Sequence, residues 1–131
     1  MAGVKILMHG DGSYSLHQIH EKIHYIIGAE EVFQQKHRFG NADVWLLVYE
    51  KYFFRVNNFA TMTILLTQQE NAQSAQIVIS GSGESMSNVS YGANRQFARE
   101  CVKALEEAGF TLDKAKSDDL PKGLLERYFK K

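Results

Sequence analysis

Apolar positions along this chain change period more than once, and each change marks an element. Val4, Ile6, Leu7 and Met8 form a short apolar run closed by Gly10-Asp11-Gly12, a strong turn signal, and predict a first strand. From Ser13 the spacing turns helical. Leu16, Ile19, Ile23, Ile26 and Ile27 recur every three or four residues, with Ser13 or Ser15 placed to cap the start and Gly28 to stop it. The spacing predicts a helix over about residues 14 to 27.

Residues 30–80 are rich in Val, Ile, Phe, Tyr and Thr, and they break at Gly40-Asn41, at Asn57-Asn58 and across the polar stretch Gln68 to Ser74. Between these hairpin-like breaks, Val44-Trp45-Leu46-Leu47-Val48 is apolar on both parities, as a central strand is. Met62, Ile64 and Leu66 alternate with Thr61, Thr63, Leu65 and Thr67. With no helical pattern between the turns, the segment reads as an antiparallel meander rather than parallel crossover units. Phe97, Ala98, Cys101, Val102, Leu105 and Ala108 then line one face of a second helix. Gly109 stands where a helix-ending glycine belongs, and Phe110 is expected to fold back on the last turn. From Asp118, Pro121 followed by Leu124, Leu125 and Tyr128 predicts a short third helix. A helix that short is not stable alone in water, so its apolar face must cover the sheet or meet another chain.

These patterns add up to one α+β domain spanning residues 1–131. The expected architecture is an antiparallel meander of four to six strands with two main amphipathic helices on one face and a short C-terminal helix. Charge narrows the function classes: 15 Lys and Arg balance 15 Asp and Glu, which leaves no footprint for wrapping nucleic acid or lying on an anionic membrane. The single cysteine, Cys101, falls on the apolar stripe of the second helix, the habitat of a packed thiol. The apolar run near Met1 is too short for a secretory signal, and no stretch approaches membrane-spanning length, so the expected compartment is the cytoplasm.

One pentapeptide spells a catalytic word. His20-Glu21-Lys22-Ile23-His24 is HExxH, in which two histidines four apart on a helix grip zinc and the intervening glutamate activates the metal-bound water. His17 joins them, since His17, His20 and His24 fall within roughly 60° of each other around the axis. Several features weigh against the motif. The isoleucine stripe lies about 110° from the histidine row, which directs the imidazoles to the flank or to solvent, whereas catalytic zinc needs a sheltered cleft. Lys22 charges a segment that such enzymes bury. The extended metzincin pattern wants glycine at 27 and a ligand at 30, where this chain has Ile27 and Glu30. The alternative is a solvated helix face on which His17 and Glu21 make an ordinary i,i+4 pair.

Other candidates are weaker. Gly81-Ser82-Gly83 after Ile77-Val78-Ile79 has part of a phosphate loop, but position 86 is Met and the lysine of a P-loop is missing, so a turn or bulge is the reading. Trp45 with Tyr49, Tyr52, Phe53 and Phe54 before Arg55 could stack bases; core use fits the neutral charge better. Glu50 in that run must face solvent or pair with Lys51 or Arg55. Ser80, Ser82 and Ser85 lack a nucleophile elbow, and burial would raise rather than lower the Cys101 pKa.

In Val48-Tyr49-Glu50-Lys51-Tyr52, Asn58, Thr63-Ile64-Leu65-Leu66, Ile79-Ser80-Gly81-Ser82-Gly83 and Tyr91-Gly92-Ala93 the chain resembles a family of small uncharacterised bacterial proteins, over about three quarters of its length. The resemblance implies an α+β domain of unknown function from a bacterial cytosol, with no activity, cofactor or catalytic residue to carry over and a first helix that does not require HExxH. The expected function is therefore a small non-enzymatic binding or interaction domain without a cofactor. Its partner would be a small ligand or a protein, not nucleic acid or membrane, and self-association through the terminal helix or a strand edge is left open. The alternative is a zinc-dependent hydrolase with His20 and His24 as ligands and Glu21 as base.

Overall fold

The chain runs β1 (Val4–Gly10), α1 (Leu16–Ile27), β2 (Glu30–Phe39), β3 (Ala42–Phe53), β4 (Asn58–Gln69), β5 (Ala72–Gly81), α2 (Asn88–Glu107) and β6 (Phe110–Leu112), followed by a 3₁₀ turn at Lys114–Lys116. The computed structural model describes residues 4–54, 57–81 and 88–117. The six strands form an open sheet in the order β2-β3-β4-β5-β1-β6, paired antiparallel throughout.

The expected meander is β2 through β5, and its turns fall at the expected breaks: Phe39 pairs with Ala42, Phe53 with Asn58 and Gln69 with Ala72. Gly40 takes φ 60, the positive sign that a two-residue hairpin loop requires at its first central position. β1 departs from a simple meander by lying between β5 and β6. Its register explains why. Directly opposed residues of antiparallel strands share a face, and Ile6, Ile77, Ile64 and Leu47 fall in one row across four strands. Val4, Ile79, Met62 and Tyr49 form a second row, and Met8, Ala75, Leu66 and Trp45 a third, which Leu112 extends into β6. Every one of these side chains is buried. Each fully buried aliphatic is worth about 1.5–3 kcal/mol relative to exposure, so inserting β1 completes three apolar rows at once. The opposite parity carries Thr61, Thr63, Thr67, Gln76 and Lys5, and it stays half-exposed or exposed.

α1 begins with a capping box: the Ser15 hydroxyl accepts from Gln18 N and the Gln18 side chain accepts from Ser15 N, at 3.2 and 2.9 Å. It ends at Gly28 in the left-handed conformation. Leu16, Ile19, Ile23 and Ile27 are its buried face, as the spacing predicts. Gln73, buried on β5, fixes the approach to this helix by donating to Tyr14 O and accepting from Gly12 N. α2 buries Phe97, Ala98, Cys101, Val102, Ala104, Leu105 and Ala108 and lies against α1. Lys51 of β3 joins three elements, donating to the Ile27 carbonyl at the end of α1 (3.1 Å) and to Glu100 of α2 (2.8 Å).

Phe110 opens β6 opposite Gly10, and Gly109, at φ 87, hands the chain from helix to strand while its carbonyl accepts from Asp11 N. Lys51 pairs with Glu100 rather than with Glu50. The short helix expected from Asp118 and the loop from Ser82 to Gly83 lie outside the described residues.

Candidate functional site

The histidine row is not turned uniformly to water. His17 and His24 are exposed residues, yet both lean over aromatic side chains of β3: His17 meets Trp45 edge-on at 5.0 Å between ring centroids, and His24 lies 6.3 Å from Tyr49. His20, between them, also meets Trp45 edge-on at 5.9 Å, and its side chain is only 16% exposed. Its Nε2 lies 2.5 Å from Glu31 Oε1 on β2. The helical wheel, which expects the flank or solvent for this row, locates a Cβ around one axis and is silent on the strand beside it. The neighbouring strand supplies a carboxylate within reach of an imidazole on the helix flank.

Glu31 reaches that position through a break in the strand's alternation. β2 carries one extra residue at Val32: Glu31 opposes Tyr49 and Phe33 opposes Val48, consecutive positions of β3. A bulge of this kind reverses the parity of whatever precedes it. Without it Glu31 would share the open face with Phe33; with it the carboxylate joins the buried face beside Tyr49. Three hydrogen-bonding groups converge on Glu31. His20 and the Tyr49 hydroxyl meet Oε1, the latter donating at 3.0 Å, and the Gln34 amide donates to Oε2 at 2.8 Å.

The electrostatics follow from those contacts. Burial alone would raise the Glu31 carboxyl, but the hydrogen bonds from His20 and Tyr49, with the charges of His20 and His24, outweigh it and hold the group below the usual carboxylate range. The Tyr49 hydroxyl moves the opposite way. Burial raises it, and donating to an ionised Glu31 raises it further, so this phenol stays protonated. Beside the network lies a groove of about 370 Å3 lined by His20, Glu21, His24, Tyr25 and Glu31. A second hollow, of about 490 Å3, adjoins it across α1 and is lined by Tyr14, Lys22 and Glu107 among others; there the Lys22 ammonium sits over the Tyr14 ring at 4.7 Å.

Glu31 was missed from sequence, and Tyr49 was assigned only to the core. Glu30, weighed as a carboxylate ligand, instead pairs across the strand with Glu50 and is exposed. No His17–Glu21 pair forms among the described residues. Nor do any three His, Cys, Asp or Glu side chains among them come together as a metal-holding group. The aromatic series divides, with Tyr49 and Phe53 buried and Tyr52 and Phe54 exposed. Cys101 is fully enclosed, and burial pushes its thiol up to about 12.

Chemically, a histidine oriented by a carboxylate is the base-and-orienter half of a catalytic triad. It is equally a device for tying a helix to a strand. The class defined by fold and site is thus a small α+β protein built on an open antiparallel sheet, with a polar network joining its first helix to an edge strand. The chain belongs to a family of unknown function (DUF6054), whose model matches residues 1–109. That stretch contains every element from β1 to α2, and with them the whole network. No curated protein matches the chain. No described helix is long and apolar enough to cross a membrane.

Proposed function

We propose that this protein is a non-enzymatic binding domain whose groove between α1 and β2 receives a small organic cation. The observation that carries the reading is Glu31, a half-buried carboxylate held ionised at the edge of a groove whose described lining residues include no Lys or Arg. An ionised carboxylate has about four acceptor sites, and His20, Tyr49 and Gln34 use three of them, which leaves room on Oε2 for one further donor. Glu21 lines the same groove, and the Tyr25 ring, 89% exposed, offers a π face to a cation.

Titration of the labelled protein with n-butylamine, followed by amide chemical shifts, tests this. Shifts should cluster at residues 20–31 and be lost in Glu31→Gln and Glu21→Gln. Equal shifts with butyrate, or none with the amine, would defeat the reading. A second reading, divalent-metal binding by His17, His20 and His24, is favoured by one observation, the Glu31 oxygen beside His20. It needs at least one ring to swing toward the others, and a zinc titration in the same format should then show one equivalent bound and lost in His20→Ala and His24→Ala.

The proposal takes residues 1–131 as one domain with both helices covering the same face of the sheet. Supporting that arrangement are the contacts of His17 and His20 with Trp45 on one side and of Phe97 with Phe53, 5.8 Å between ring centroids, on the other. It also places the protein in a bacterial cytoplasm, where an unpaired buried thiol such as Cys101 is ordinary.

A further inference from the structure

The two edges of the sheet are unequal. β6 offers three residues, too few to template another strand, and is followed at once by a 3₁₀ turn. β2 offers ten, nine of them exposed, with one side paired to β3 and the other unpaired in the sheet order. Charge along β2 falls in two blocks: Glu30 and Glu31 at the start, Lys36, His37 and Arg38 near the end, with Gln34-Gln35 between.

We propose that the free edge of β2 pairs antiparallel with β2 of a second copy of this chain, giving a two-fold dimer with one continuous sheet. The charge pattern selects that partner and that direction. In an antiparallel register centred near Gln34-Gln35, the acidic end of each copy meets the basic end of the other, twice by symmetry; a parallel pairing would set like charges against like. Charged residues and the bulge at Val32 are also the means by which strand edges are kept apart. Edge protection of that kind works by like charge repelling like, and the split blocks here repel only in the wrong direction. Apolar surface supports the same contact. Phe33 and Phe39 are 47% and 63% exposed beside half-buried Val44, Leu46 and Val48, and joining the open faces of two sheets would withdraw both phenylalanines from water on the side toward the axis. Pairing β2 with itself closes at two copies, because β6 is too short to continue a chain of sheets. The inference does not depend on what the groove binds.

The test is sedimentation of the full chain from micromolar to millimolar concentration, combined with hydrogen exchange of the β2 amides. A dimer is expected that weakens as salt is raised, with the β2 amides on the edge away from β3 protected only at concentrations where the dimer forms. Glu30→Lys and Lys36→Glu should each weaken it by about tenfold or more, and the two together should weaken it further rather than restore it, since each block then carries no net charge. If Lys36→Glu does not fold, Lys36→Gln serves as the single variant, weakening without reversing the charge. A monomer at every concentration overturns the proposal, as does a dimer whose β2 amides exchange as in the monomer, or one that both single variants leave intact.

Discussion

Glu31 shows how far one side chain's chemistry depends on neighbours distant in sequence. Its carboxyl lies below the ordinary range in the folded protein, so the unfolded chain binds more protons near and below the usual glutamate value of 4.5. The stabilising contribution is therefore fully present above that pH and is lost as acidity carries the group through its folded value. Denaturant melts at a series of pH values should show Glu31→Gln less stable than the native protein by roughly 1–3 kcal/mol at pH 7, with the gap narrowing as pH falls below 4.5. A gap unchanged by acid would mean that the carboxylate's charge plays no part. At this scale the isoleucines of α1 were legible because burial of Ile19, Ile23 and Ile27 follows directly from helical period. The partner of His20 was not, since nothing local to Glu31 announces which face of β2 it occupies.

The reason lies in an element. The register of β2 against β3 runs unbroken from Phe33 to Phe39, and the extra residue at Val32 reverses the facing for Glu31. Deleting Val32 should restore simple alternation, turn Glu31 toward Phe33's face and break the link to His20 and Tyr49. The stability cost at pH 7 should then not add to that of Glu31→Gln when the two changes are combined, because both remove one interaction. Full additivity in the double variant would show that the bulge serves something other than aiming this side chain. Elements with their own punctuation were readable in advance: α1 between Ser15 and Gly28, and the turns at Gly40-Asn41 and Asn57-Asn58. β6 was not, because three residues after a helix-ending glycine carry no period, and their strand identity comes from pairing with β1.

At the scale of the molecule, the class of fold follows from the strand-rich composition of residues 30–80 and the turns that break it, whereas strand order does not. Placing β1 beside β5 needs the match of three apolar rows that only the assembled sheet displays. Cys101 offers a direct probe of that assembly, since it is fully enclosed on α2 with its thiol held near 12. Ellman's reagent at mildly alkaline pH should label it at a rate that tracks global unfolding across a denaturant series. Rapid labelling in native buffer would show α2 lifting away without the rest of the structure.

The lateral neighbours of β1 come late in synthesis: Val4 pairs with Ile79, and Met8 with Leu112. At ribosomal speeds those partners emerge on the order of ten seconds after β1. For that interval Val4, Ile6 and Met8 form a greasy ribbon with nowhere to dock, while β2 to β5 can already zip together as neighbouring hairpins. The growing chain is thus exposed to chaperones and to mispairing at β1, and closing the sheet there is a late step of maturation.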